Sequence, residues 1–246
     1  MRIIFATANP GKLREASEVL GPDYEVVSPA SLGITEDIPE TGSTLQENSL
    51  QKAQYLFERT GLPCFADDTG LEVDALGGAP GIYSARYAGP GHDSNANMEK
   101  LLAELLRLED RGKNPPDPLG RFAPTTPASV SRRARFHTVI TLILPDGQPR
   151  FFEGVCEGAI ARQKSGSGGF GYDPVFLPDA YPGRTLAEVS EEEKNAVSHR
   201  GRALRAMADW LMTCNARSFA MTGDGSPDTP SVAGSEPISN DSDLLL

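Results

Sequence analysis

The sequence predicts an α/β fold built on a mixed sheet. Strand-like and helix-like runs alternate through the first part of the chain, and two adjacent strand-like runs in the second half are joined by a turn motif that makes an antiparallel hairpin. Size is the third observation. With 246 residues, 39% hydrophobic and 23% charged, the chain has an ordinary globular composition, enough for one large domain or two closely joined lobes.

The elements follow in order. Ile3–Ala6 is an apolar strand-like run; Asn9 then stands as N-cap with Pro10 at the first helical position, and Leu13, Ala16 and Leu20 share one helical face until Gly21. Ser43 or Thr44 caps a second helix, with Gln46 or Glu47 placed to complete a capping box. Leu45, Leu50, Ala53, Leu56 and Phe57 give that helix its apolar side, and Gly61 ends it. A strand is expected at Pro63–Ala66. Residues 70–91 are rich in Gly and Pro and suggest loop with one short strand, Leu71–Val73. Met98, Leu101, Leu102, Leu105 and Leu108 mark a third amphipathic helix. Five prolines between Glu109 and Ser131, with almost no apolar periodicity, indicate a proline-rich flexible excursion over 109–131. Arg135–Leu144 and Arg150–Ala161 are the hairpin strands around Pro-Asp-Gly-Gln-Pro, and Val197, Leu204, Met207, Ala208 and Leu211 mark the last helix. Residues 1–214 thus form the expected domain. Residues 215–246 carry one basic and five acidic side chains among many Ser, Gly, Pro and Thr, the composition of a disordered acidic tail.

Several function classes drop out. A net charge of −11 argues against broad affinity for nucleic acid, which needs a basic face. No apolar stretch approaches the ~18 residues of a membrane span and the opening run lacks the features of a signal peptide, so a cytoplasmic protein is expected. Cys64, Cys156 and Cys214 show no CxxC spacing and suggest neither a disulfide framework nor a zinc site. An acidic protein that binds a polyanion needs a metal ion or a local cluster of Lys and Arg.

Five stretches could carry chemistry. Thr7-Ala8-Asn9-Pro10-Gly11-Lys12 sets backbone N–H groups and a positive helix end beside Thr7, Asn9 and Lys12, which suits an anion; a capped helix with a solvated lysine fits the same residues, and the Walker A pattern is absent. Glu40 and the pair Asp67-Asp68 at the end of a strand offer hard oxygen ligands for Mg²⁺. Adjacent strand residues point to opposite sides, so at most one aspartate faces a shared site; an Asx-type turn is the alternative. Leu76–Tyr87 fixes an unusual backbone path ahead of Ser84 and Arg86, with Arg86 the candidate phosphate contact and a tight surface loop the other reading.

Gly166–Gly171 spells GxGxxG, but Pro174 disfavours the helix a dinucleotide fingerprint must open, and Asp173 stands where a kinase loop needs Val. That leaves an exposed-looking aromatic pair, Phe170 and Tyr172, beside Asp173, suited either to a purine pocket or to plain core packing. In Glu191–Arg200, Ser190 and Glu193 form a capping box, and Ser198 caps the last helix with His199 and Arg200 in its first turn. Cations there oppose the helix dipole unless an anion joins them; with Lys194 they otherwise form a solvated face. His92 and His137 lack such neighbours.

Together, TANPGK, ETGSTLQENSLQKA, ADDTGLEVDALGGAPGIYSARY, GGFGYDPVF and EEKNAVSHRGRAL resemble the inosine triphosphate pyrophosphatase family, hydrolases that clear dITP, ITP and XTP. The resemblance runs in order from Arg2 to about Leu211 and omits the excursion and the tail. It implies a two-lobed α/β fold with a long mixed sheet flanked by helices, a central nucleotide cleft, a homodimer, and Mg²⁺-dependent release of pyrophosphate. It implies that Thr7 to Lys12 bind the phosphates with Lys52 nearby. Asp68 matches the proton acceptor and a metal ligand, Glu40 matches the other ligand, and Asp67 lies close enough to share. Thr69, Phe170, Gly171, Tyr172, Asp173, Lys194, His199 and Arg200 match substrate-binding positions. In that setting Lys12, Lys52 and Arg86 would face the phosphoryl oxygens. His199 and Arg200 as donors would favour a 6-oxo purine over adenine, whose amino group leaves them unpaired.

Overall fold

A computed structural model describes residues 1–36, 38–113 and 130–222. Met1–Trp210 form one compact unit; the other begins at Leu211, and its described residues, 211–222, are the end of the last helix. In chain order the elements are β1 (Arg2–Phe5), α1 (Pro10–Leu20), β2 (Glu25–Val27), α2 (Leu45–Thr60), β3 (Cys64–Val73), β4 (Pro80–Gly81), α3 (Ser94–Lys113), β5 (Arg133–Ile143), β6 (Pro149–Ile160), β7 (Phe176–Pro178), α4 (Glu191–Val197) and α5 (His199–Thr222). Seven strands make one mixed sheet in the order β2-β1-β3-β5-β6-β7, with β4 on β3. β2, β1 and β3 run parallel, whereas β3, β5, β6 and β7 alternate in direction. The expected α/β class with a long mixed sheet is the observed one.

Local chemistry explains the boundaries. α1 starts where the Asn9 side chain accepts from the Gly11 and Lys12 N–H groups, at 2.8 and 3.3 Å. α2 starts where Thr44 Oγ1 accepts from the Glu47 N–H at 3.0 Å, while the Glu47 carboxylate returns to the Ser43 N–H at 2.6 Å. The hairpin turns at Gly147, φ +71°, where a left-handed backbone favours glycine. Ser190 and Glu193 form the expected capping box, and Ser198 Oγ accepts from the Gly201 N–H at 2.9 Å at the head of α5.

β3 corrects the sequence expectation. Two short strands separated by an aspartate turn are in fact one ten-residue strand, and Asp67-Asp68 lie inside it, not at a strand end. The polar centre survives as strand because it finds partners: Thr69 Oγ1 meets Thr138 Oγ1 at 2.7 Å, and the aspartates meet cations. Gly70 is required there, since a Cβ would lie 2.8 Å from the Gly81 carbonyl oxygen.

The third helix runs past Glu109, where the excursion is expected to start. α3 runs to Lys113 because Glu109 turns inward, its carboxylate accepting from Arg132 Nε at 2.9 Å and Arg162 Nη1 at 2.8 Å. Residues 114–129 of the excursion and 223–246 of the tail lie outside the described residues, while 215–222 continue α5 as helix. β2 and β7, three residues each, are too short to show a period in sequence. Among the described residues no helix is long and apolar enough to cross a membrane.

Two cores divide β3. Cys64 and Ala66 pack with Ile4, Ala53, Leu56 and Ile143, whereas Leu71 and Val73 pack with Leu101, Leu105, Phe136 and Phe176. The aspartates fall between them. On the edge away from β5, β1 pairs with β3 only through Phe65 and β4 only from Leu71. Among the described residues, no strand therefore covers that edge at Asp67–Gly70.

Candidate active site

The strand pleat sends Asp67 and Thr69 to one face of β3 and Asp68 to the other. On the first face Asp67 is buried between two cations: Lys12 Nζ donates to Oδ1 at 3.0 Å and Arg200 Nε to Oδ2 at 2.9 Å. Burial acts to raise the Asp67 carboxyl, but Lys12, Arg200 and Lys52 outweigh it and hold it well below the usual carboxylate range. Arg200 also reaches Glu15 at 3.4 Å. Burial lowers Lys12 despite Asp67.

On the second face one lysine serves two acids. Lys52 Nζ donates to Glu40 Oε1 at 2.6 Å and to Asp68 Oδ1 at 3.1 Å, and Asn48 Nδ2 donates to Asp68 Oδ2 at 3.1 Å. Burial, with the nearby Glu40 charge, raises Asp68 against the pull of Lys52. Burial acts to lower Lys52, yet Asp68, Asp67 and Glu40 together raise it. The pair Glu40 and Asp68 thus already converges on a cation.

A cleft of about 630 Å³ opens on the Asp67 face. Lys12 and Thr69 line it together with Phe170, His199 and Arg200. Phe170 is 54% exposed, with Lys194 Nζ 4.3 Å and the Arg200 guanidinium 5.8 Å from its ring centre. His199 is buried and stacked on Phe136, and its Nδ1 has no hydrogen-bond partner among the described residues. Burial, then the charges of Arg200 and Lys194, hold its imidazole well below the ordinary histidine range, so it is neutral at pH 7.

Other expected site residues have different places. Tyr172 lines the cleft but is buried in the core, not exposed, with its hydroxyl donating to the Ser84 carbonyl at 2.9 Å. Asp173 is buried too; its Oδ2 accepts from the Phe170 N–H at 2.7 Å and from Lys194 at 2.6 Å, so it folds the loop that presents Phe170 and Gly171. Gly169 makes this possible, since its φ is +73° and a Cβ would sit 2.1 Å from Asp173 Oδ2. Arg86 lies against the Tyr83 ring at 5.2 Å and is not on the cleft wall. Asn9 and Gly11 line the cleft, whereas Thr7, Ala8 and Pro10 shape the turn behind them, Thr7 Oγ1 accepting from the Asn9 N–H at 3.1 Å.

A model of the Ham1 family matches residues 3–114 and 120–210. This chain belongs to the Ham1 family. Among its Ham1 relatives, a dITP/XTP pyrophosphatase of Porphyromonas gingivalis is 48% identical over 211 residues, which cover 86% of this chain and 97% of the relative. One from Christiangramia forsetii is 44% identical over 211 residues, covering 86% and 99%. The solved HAM1 protein of Coxiella burnetii matches with a TM-score of 0.74 at 36% identity, covering 87% of this chain and 99% of that one.

Sequence reasoning missed two polar neighbours in this Ham1 site. Glu15 follows Lys12 by three positions and Asn48 precedes Lys52 by four, the spacings that put side chains on one helix face, so helical periodicity applied to the polar residues would have found both. Among the described residues no group of three or more His, Cys, Asp and Glu is arranged to hold a metal. Mg²⁺ needs only one or two protein carboxylates beside waters and phosphates, so Glu40 and Asp68, gathered about one ammonium, fit it by donor chemistry. Asp67 lies on the other face of β3, buried between Lys12 and Arg200 and away from Glu40.

Proposed function

We propose that this protein hydrolyses non-standard purine nucleoside triphosphates, dITP, ITP and XTP, to the monophosphate and pyrophosphate, clearing them before they enter DNA or RNA. The observation that carries the reading is a single cleft whose wall holds Lys12, the exposed Phe170 ring and a buried, unpartnered His199. The names of the Porphyromonas and Christiangramia relatives point the same way.

Phe170 stacks on the base, with Lys194 and Arg200 over the ring fixing its surroundings. Neutral His199 donates from one ring nitrogen to the purine 6-oxo group, and the Arg200 N–H groups not used by Asp67 or Glu15 point the same preference. Adenine, with a donor at that position, leaves them unpaired. The triphosphate runs past Lys12 towards the uncovered β3 edge at Asp67–Gly70, where Asp68 and Lys52 wait on the opposite face.

Asp68 takes the proton of the attacking water, a task its raised pKa favours. Lys12 and Lys52 offset charge on the phosphoryl oxygens. Glu40 and Asp68 would hold Mg²⁺, which when bound would supply charge neutralisation and orientation of the phosphates. A homodimer belongs to the same proposal and rests on the family resemblance; a cytoplasmic location is proposed with it from the sequence.

The test is incubation with Mg²⁺ and each of dITP, XTP, ATP, GTP, dTTP and UTP, with pyrophosphate and free phosphate assayed separately. Pyrophosphate release preferring dITP and XTP is expected. Phosphate release alone, or equal rates with ATP, would overturn the reading.

A further inference from the structure

We infer that His92 is a further substrate-binding residue, donating to the phosphates of the nucleotide; the inference rests on the function just proposed. His92 lines the same cleft as Lys12 and Phe170. It is also the one non-glycine residue in the described chain with a positive φ, +51°, a conformation disfavoured for any side chain with a Cβ. Such strain persists where the surroundings hold it, and here they do. Asp93 Oδ1 caps α3 by accepting from the Asn95 and Ala96 N–H groups at 2.8 and 3.1 Å, immediately after His92. Buried Asn97 ties down the preceding segment through the Ala88 N–H at 2.6 Å and the Ala85 carbonyl at 3.0 Å.

The charge arrangement points to phosphate. Each Lys and Arg on the cleft wall has a carboxylate partner: Lys12 has Asp67, Lys194 has Asp173, Arg200 has Asp67 and Glu15, and Arg14 has Glu191 at 3.8 Å. His92 has no hydrogen bond, ion pair or ring contact among the described residues. His199 is the other imidazole there, but it is buried against Phe136 beside the stacking ring. The wall that carries His92 is pinned to β3 by Ser84, whose Oγ accepts from the Leu71 N–H at 2.8 Å, next to the uncovered edge. A phosphate chain following this cleft meets an exposed imidazole whose ring N–H is unspent among the described residues.

The experiment compares wild type with His92→Ala and His92→Gly in dITP hydrolysis, and measures inhibition and calorimetric binding of pyrophosphate and of dIMP. Loss of one hydrogen bond predicts a KM higher by roughly 2- to 10-fold, with kcat nearly unchanged. Pyrophosphate binding weakens by the same factor and dIMP binding does not. Alanine and glycine must agree: glycine adopts positive φ freely, so a KM raised by alanine alone would show a backbone effect and overturn the proposal, as would unchanged pyrophosphate binding in both. A wild type that turns over no triphosphate removes the proposed function instead, and pyrophosphate binding then decides His92 by itself.

Discussion

Asp67 and Asp68 are neighbours in sequence and opposites in electrostatics. Asp67 has a cation on each oxygen and a strongly lowered pKa; Asp68 shares a single ammonium with Glu40 and has a raised one. The pleat of one strand separates them. Asp67 is thereby a fixed anion that organises Lys12 and Arg200 for the cleft, whereas Asp68 keeps an affinity for a proton or a further cation. A single Asp-Asp dipeptide thus supplies both a structural charge and a reactive one, provided that it lies within a strand and not in a turn.

The largest effect should come from the reactive side. Asp68→Asn removes the proton acceptor and should cut turnover by about 10²- to 10⁴-fold while nucleotide binding, measured by calorimetry, survives. Because a carboxyl with a raised pKa destabilises the fold once ionised, its removal should leave the urea midpoint unchanged or higher; unimpaired turnover breaks the comparison. Asp67→Asn should do the reverse. It leaves Lys12 without its counter-ion and Arg200 with Glu15 alone, and should lower unfolding free energy by about 3–5 kcal/mol, read from urea melts. A wild-type midpoint for this variant would mean that the buried pairs hold nothing in place.

The smallest effect is in pH dependence. His199 has a lowered pKa in the folded chain, so the unfolded chain binds more protons below its ordinary value of about 6.5, and stability falls as pH drops from there by at most about 1.4 kcal/mol per pH unit. The Asp67 contribution is intact across that range, since a lowered carboxylate pKa loses its stabilisation only as pH falls below about 3.9. His199→Gln should therefore flatten the slope of urea midpoint between pH 7 and 5. An unchanged slope would place the titrating group elsewhere.

Capped helices were the most legible part of the chain. Asn9 and Pro10, Thr44 and Glu47, and Ser190 and Glu193 write their starts in a few adjacent residues, and the structure puts helix starts there. The strand centre was not legible, because Asp67, Asp68 and Thr69 are polar and adjacent while the partners that permit their burial come from Lys12, Lys52, Thr138 and Arg200, far off in sequence. For Tyr172 the sequence leaves core packing and a purine pocket both open, and what decides for burial is a distant partner, the Ser84 carbonyl that accepts from its hydroxyl. Glu109 looked like the start of a polar loop until its two arginines arrived from 23 and 53 residues away. Residues whose role is set by long-range charge pairs are those that local pattern misassigns.

The uncovered stretch of β3 also bears on solubility. A bare sheet edge ordinarily invites a strand from another molecule, and with it aggregation. Here the gap lasts only from Asp67 to Gly70, is closed at either end by β1 and β4, and carries two acidic side chains within it. It is too short to recruit a foreign strand, and Asp67 and Gly70 within it are themselves buried, so an edge left without a strand here does not become adhesive.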